Sequence, residues 1–168
     1  MRIFITGNAG SGKTTLSTEL AKQMKFPLYG LDKFVWLPGW VQQKPEIIKE
    51  QLSKVVKQEN WIIEGVSYFV MEHASIIIFL DVPIYKAYWR ASRRTFTHLF
   101  KQRPEMPEHC PELAIIKELI RIIWVFHHQV RNKVINKLEK YKMDKTVYHV
   151  RNNAEQVLSI KELLINTG

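Results

Sequence analysis

The chain has 168 residues, 46% hydrophobic and 24% charged, the make-up of a globular protein with one domain over residues 1–168 and not of a disordered chain. No apolar run can span a bilayer, no signal-peptide pattern opens the chain, and Cys110 is the sole cysteine, so membrane insertion, secretion, an intrachain disulfide and a cysteine-based zinc site are not expected and a cytoplasmic setting is. The formal net charge of +9 suits a polyanionic partner, either a nucleotide or a nucleic acid.

Arg2–Thr6 is a short β-branched and aromatic run and predicts a buried strand. Gly7-Asn8-Ala9-Gly10-Ser11-Gly12-Lys13-Thr14 follows and fits the P-loop pattern at every fixed position. Leu16, Leu20 and Met24 recur at helical spacing over Lys13–Met24, so the order is strand, glycine-rich turn, helix start. Glycines let the backbone wrap phosphates without Cβ clashes, and the N–H groups of the turn and first helical turn make an anion cradle. Lys13 is then expected at the β- and γ-phosphates, the Thr14 hydroxyl on Mg²⁺, and Thr15 near the α-phosphate. The nucleotide expected is ATP.

Further along, Phe26–Tyr29 predicts a second strand ending at Gly30-Leu31-Asp32. An aromatic stretch with a Pro38-Gly39 turn leads to a helix over Lys44–Asn60. Trp61–Ile63 is the third strand and closes in Glu64-Gly65; Ser75–Leu80 is the fourth, followed by Asp81-Val82-Pro83 and a helix to about Phe100. Asp81 is expected to cap that helix. Lys101–Pro111 holds three prolines and predicts a loop, and Leu113–Tyr141 one long helix. Its adjacent His127 and His128 should point to different sides, and the six histidines of the chain show no metal-ligand spacing. Thr146–Val150 is the fifth strand, and a last helix is expected from Ala154 to Ile165. Continuously apolar strands alternating with helices imply a three-layer α/β P-loop fold: a five-stranded parallel sheet with helices on both faces.

The layout resembles the adenylate-kinase-like small P-loop kinases. More narrowly, Leu31-Asp32, Trp36-Leu37-Pro38-Gly39-Trp40, Trp61–Gly65 and Arg103–Glu112 resemble the DNA topology modulation proteins. The resemblance implies an acceptor-side insert over about residues 33–60 and a small helical lid with its following helix over about 95–131. It also implies Arg90 against the ATP base or phosphates, Arg94 on the transferring phosphoryl group, Asp32 at an acceptor hydroxyl, and Glu64 holding Mg²⁺ through water. Arg151-Asn152-Asn153, after the fifth strand, falls where this fold often contacts adenine. Lys117, Arg121, Trp124, His128 and Arg131 share about 80° of helical arc, and Arg131 is the preferred γ-phosphate arginine, with Arg121 and Arg103 as alternatives.

The interval from Lys33 to Asn60 and Val66-Ser67-Tyr68-Phe69 after Gly65 hold no arginine, so the clamp that grips a nucleoside monophosphate is not evident. Trp36, Trp40 and Tyr68 could stack a flat acceptor or serve as packing. The expected function is an ATP- and Mg²⁺-dependent phosphotransferase acting on a small acceptor, a nucleotide or a hydroxyl compound, as monomer or dimer. The alternative is a basic ATP-binding regulatory or DNA-binding protein.

Overall fold

The structure, a computed structural model, describes residues 1–97, 116–152 and Glu155. The proline-bearing loop, Arg103, Asn153 and all of the last helix except Glu155 lie outside the described residues, as do the side chains of Trp40 and Arg94.

Five strands form one sheet: β1 (Arg2–Gly7), β2 (Leu28–Gly30), β5 (Trp61–Glu64), β6 (Ile76–Leu80) and β7 (Thr146–Val150), in the order β2-β5-β1-β6-β7 and parallel throughout. The apolar runs of the central strands β5, β1 and β6 are buried on both sides, as a parallel sheet covered by helices requires, while the edge strands β2 and β7 are partly exposed. Alternation along β1 decides which face each residue feeds. Ile3 and Ile5 join Leu16 and Leu20 of α1 (Lys13–Met24) on one face. Phe4 joins the other, with Leu52, Val55 and Val56 of α3 (Pro45–Val56), Val70 and Met71 of α4 (Tyr68–His73), and Val134 and Leu138 of α7 (Arg131–Tyr141). A third, smaller cluster joins Ala87 and Ala91 of α5 (Ile84–Thr97) to Ile123 of α6 (Ile116–Val125), with Ala9 packed against it.

The aromatic stretch is more structured than its sequence suggests. A one-turn helix α2 (Asp32–Val35) leads into a two-stranded antiparallel hairpin, β3 (Trp36–Leu37) and β4 (Val41–Gln42), turning at Pro38-Gly39. The α3 helix stops at Val56, short of Asn60. Helix α4 had no sequence counterpart; Ser67 caps it, its hydroxyl accepting from the Val70 N–H at 3.3 Å. At its other end the Lys145 ammonium donates to the carbonyls of Met71, Glu72 and Ala74 at 3.2, 2.5 and 2.7 Å. A cation on the last carbonyls of a helix satisfies orphan acceptors and opposes the negative end of its dipole.

The long helix is not continuous. Phe126–Val130 is a π-helical turn between α6 and α7, and the Arg131 N–H reaches back to the Phe126 carbonyl. The apolar ladder explains the turn. Phe126, Val130, Val134 and Leu138 are three successive four-residue steps, which drift about 40° each in an ideal α-helix. Widening one turn recovers part of that drift and keeps Phe126, Val134 and Leu138 all buried.

Candidate active site

Register places the P-loop between two acids. Ile5 of β1 pairs with Glu64 of β5, and Gly7 pairs with Leu80 of β6, the residue before Asp81. The loop therefore leaves the sheet at the carboxyl ends of the strands, where open α/β sheets bind ligands.

Two P-loop glycines are there because neighbours leave no room for a Cβ. A Cβ on Gly7 would sit 2.5 Å from the Leu80 carbonyl oxygen, and one on Gly10 2.5 Å from that of Ala87. Gly12 differs: a Cβ there would meet only Arg90 Nη1, at 3.8 Å, and its requirement is conformational, φ +99° at the cap of α1. The loop is thus a backbone-lined cradle.

Around this cradle the expected ligands gather. The Thr14 hydroxyl lies 2.9 and 3.1 Å from the two oxygens of Glu64, which is buried. Lys13 Nζ donates to the Asn8 carbonyl at 2.9 Å, and Arg90 Nη1 to the Ser11 carbonyl at 3.2 Å. Ser11 is 2% exposed, and its hydroxyl has no hydrogen-bond partner among the described residues. Thr15 is exposed on the first turn of α1. Glu64 is followed by Gly65 for a steric reason: at φ +138° a Cβ would fall 2.6 Å from Cβ of Leu31. The Leu31 N–H in turn donates to the Glu64 carbonyl at 2.9 Å, setting the exposed Asp32 just past the end of the neighbouring strand.

These donors fit a nucleotide with Mg²⁺. A hydroxyl and a carboxylate oxygen, hard donors side by side, are what Mg²⁺ takes when phosphates and waters complete its shell. Among the described residues no cluster of three or more His, Cys, Asp or Glu could hold a metal without such help.

On the other side of β1 the structure corrects one expectation. Asp81 does not cap α5, which starts at Ile84 with the Lys86 and Ala87 N–H groups donating to the Pro83 carbonyl. Instead Arg131 grips the Asp81 carboxylate through Nε and Nη2, both at 2.7 Å, and His149 Nε2 lies 2.8 Å from Oδ2. Burial alone would push the Asp81 carboxyl up; hydrogen bonds and charge from Arg131 and His149 outweigh it and hold it below the usual aspartate value. The Asp81 hydrogen bond raises Arg131 further against its own partial burial.

The predicted basic stripe on the long helix is split by the π turn. Arg121 pairs with Glu118 at 3.3 Å on the exposed side, Trp124 stacks on His128 with ring centroids 4.7 Å apart, and Arg131 has swung to Asp81. His127 and His128 meet edge-on, with centroids 5.1 Å apart, contrary to the expectation that they part. Burial, then the charges of His128 and Arg131, lower His127 against the pull of Asp81. Trp36 and Tyr68 are half-buried; Tyr68 lies under the Lys137 ammonium, 4.9 Å from the ring centroid. Arg151 is exposed, its N–H bonded to Glu155 at 2.6 Å. Among the described residues no helix is long and apolar enough to cross a membrane.

Solved structures share this fold at low sequence identity. Shikimate kinase from Acinetobacter baumannii in complex with shikimate superposes with a TM-score of 0.53 at 16% identity, covering 98% of this chain and 92% of that one. Deoxyadenosine kinase from M. mycoides with bound dATP gives 0.53 at 15% identity, covering 98% and 99%. Shikimate kinase from Aquifex aeolicus gives 0.50 at 18% identity, covering 99% and 96%. The sheet, its helices and the P-loop are thus a P-loop kinase fold. No curated protein sequence matches the chain. A family model does match, over residues 3–150, from the first strand to the last, and by it the chain belongs to the ATPase family associated with various cellular activities (AAA).

Proposed function

We propose that the protein is an ATP- and Mg²⁺-dependent phosphotransferase that moves the γ-phosphoryl group of ATP to a small acceptor, a nucleotide or a hydroxyl compound. The observation that carries this reading is the Thr14 hydroxyl resting on the buried Glu64 carboxylate beside the glycine cradle. Lys13 binds the β- and γ-phosphates, and the N–H groups of residues 7–15 hold the chain of phosphates. Thr14 and, through water, Glu64 hold Mg²⁺, whose contribution is to neutralise charge on the phosphate oxygens. Arg90, already at the Ser11 carbonyl, lies against the base or phosphates, and Arg94 serves the transferring group. Asp81 occupies the Nε and Nη2 edge of Arg131, which orients that guanidinium; Nη1, which reaches Asn132 Oδ1 at 3.5 Å, is the edge that turns to an anion. Asp32 orients an acceptor hydroxyl. The topology modulation resemblance belongs to the same proposal. So does the cytoplasmic setting.

ADP formation with Mg²⁺, measured across nucleoside monophosphates, nucleosides and sugar or cyclic alcohols with Lys13→Ala as control, tests the proposal. Acceptor-dependent turnover absent from the control is expected. Turnover that ignores every acceptor points to plain ATP hydrolysis, and full activity in Lys13→Ala refutes the reading.

One observation favours a second reading, nucleic-acid binding. Tyr85 and Trp89, one turn apart on α5, are 66% and 71% exposed, and that helix carries Lys86, Arg90, Arg93 and Arg94 with no acid. Exposed rings among cations suit stacked bases and phosphates. Binding of this kind weakens steeply with salt, and its absence at low salt would exclude it.

A further inference from the structure

The P-loop pattern leaves its second position open to any residue, because a phosphate cradle needs only the backbone there. Here that position holds Asn8, 4% exposed, with both ends of its amide in use. Oδ1 accepts from the Ala9 N–H at 2.8 Å, and Nδ2 donates across the fold to the Ile123 carbonyl of α6 at 3.0 Å. The Asn8 backbone carbonyl accepts from the Ser11 N–H at 3.2 Å and from the Lys13 ammonium at 2.9 Å. Burying an amide is costly unless its bonds are made, so this side chain is held by its partners and holds them in return.

The next two residues tighten the same contact. Ala9 packs against Ala87, Ala91 and Ile123, and Gly10 approaches α5 so closely that a methyl group would collide with the Ala87 carbonyl. Residues 8–10 therefore sit as a wedge between α5 and α6. Past Ile123 the chain runs through the π turn to Arg131, which Asp81 fixes to the end of β6. The side chain of Ile123 is fully buried, so α6 is tied to residues 8–10 through this packing as well as through the Asn8 bond.

We propose that Asn8 is a positioning residue that couples the Lys13 ammonium to helix α6, so that a nucleotide seated in the P-loop moves α6 and the arm leading to Arg131 with it. The proposal rests on the phosphotransferase reading. It assigns the Asn8 side chain no contact with substrate; the backbone N–H of residue 8 remains part of the cradle.

The test uses the full chain and Trp124, which neighbours Ile123, stacks on His128 and is half-exposed. The emission change caused by Mg·ATP is measured in wild type and in Trp124→Phe; the difference is the Trp124 signal. ATP affinity is measured separately by calorimetry. Asn8→Ala keeps the backbone N–H of the cradle; it should lose the Trp124 signal and, at saturating ATP, transfer phosphate about tenfold more slowly or worse, the scale on which small misplacements act. A purely structural Asn8 would lower the melting temperature while leaving kcat per folded molecule and the Trp124 signal intact; that result, or a wild type without a Trp124 signal, overturns the proposal. So does a loss confined to KM for ATP. If Asn8→Ala does not fold, Asn8→Ser is used, since its oxygen can still accept locally but cannot span to Ile123. Absence of ATP binding to wild type appears already in the calorimetry and refutes the phosphotransferase reading itself, and this inference with it.

Discussion

Arg131 meets Asp81 edge to edge, Nε on Oδ1 and Nη2 on Oδ2, each at 2.7 Å, across 50 residues of sequence. The Asp81 side chain is buried while that of Arg131 keeps about a third of its surface, so the pair joins the end of β6 to the start of α7 without sealing Arg131 from the site. Removing one member of such a pair leaves the other short of a partner. Asp81→Asn should lower stability by about 2 kcal/mol at pH 7, below the range for fully buried pairs because Arg131 stays partly solvated. The pH dependence has a fixed sign. Because the folded Asp81 carboxyl lies below its unfolded value, its contribution is complete above about pH 4 and fades as pH falls through the folded value. Urea midpoints of wild type and Asp81→Asn should run parallel from pH 7 to 5 and converge only in stronger acid.

The P-loop glycines should not be equally sensitive. Gly10→Ala drives a methyl group against a backbone oxygen of α5 and should cost about 3 kcal/mol or more, with a marked fall in melting temperature. Gly12→Ala makes only an ordinary contact with Arg90 Nη1 and pays for its backbone conformation, about 1–2 kcal/mol. Thermal melts of the two variants side by side check the ranking.

Thr14 and Glu64 should fail differently from Lys13. Thr14→Ser keeps a hydroxyl on Glu64 and should retain most activity, while Thr14→Ala should lose it. Glu64→Gln should need higher free Mg²⁺ and transfer at least about tenfold more slowly, as outer-shell changes at metal sites do. Activity titrated against Mg²⁺ at fixed ATP separates these variants: a Glu64→Gln curve that overlays wild type would remove Glu64 from the metal site.

Lys145→Met should loosen α4 without touching the P-loop. The substitution keeps the apolar stem but strips three carbonyls of their donor, at a cost of about 1–2 kcal/mol. Hydrogen exchange should quicken in residues 68–74 and stay unchanged in α1.

The P-loop was legible because its chemistry is contiguous: turn, cation and hydroxyl fall within eight residues, and α1 runs over Lys13–Met24 as its periodicity predicts. What joins Thr14 to Glu64 is the pairing of β1 with β5, and strand order leaves no local trace in a chain whose strands are all apolar. Asp81 and Arg131 were both conspicuous but read in separate roles, because nothing within a few residues of either points to the other. The hairpin did leave a mark in Pro38-Gly39, and α4 in Ser67 ahead of buried Val70 and Met71, but segments this short have too little periodicity to stand out. The reach of Asn8 to Ile123 had no sequence signal at all.

The wide turn at Phe126–Val130 also sets how this chain can tolerate changes of length. A π turn is one residue more than an α-helical path needs, so deleting a residue there would let α6 and α7 fuse into an unbroken helix with better local geometry. Because a π turn carries five residues through about the angle that four take in an α-helix, the fusion would leave the two halves in nearly the same relative rotation. Ile123 would then stay on Asn8 and Arg131 on Asp81. The turn therefore absorbs one residue locally, and a chain one residue shorter there would gain regularity and keep the register of both ends.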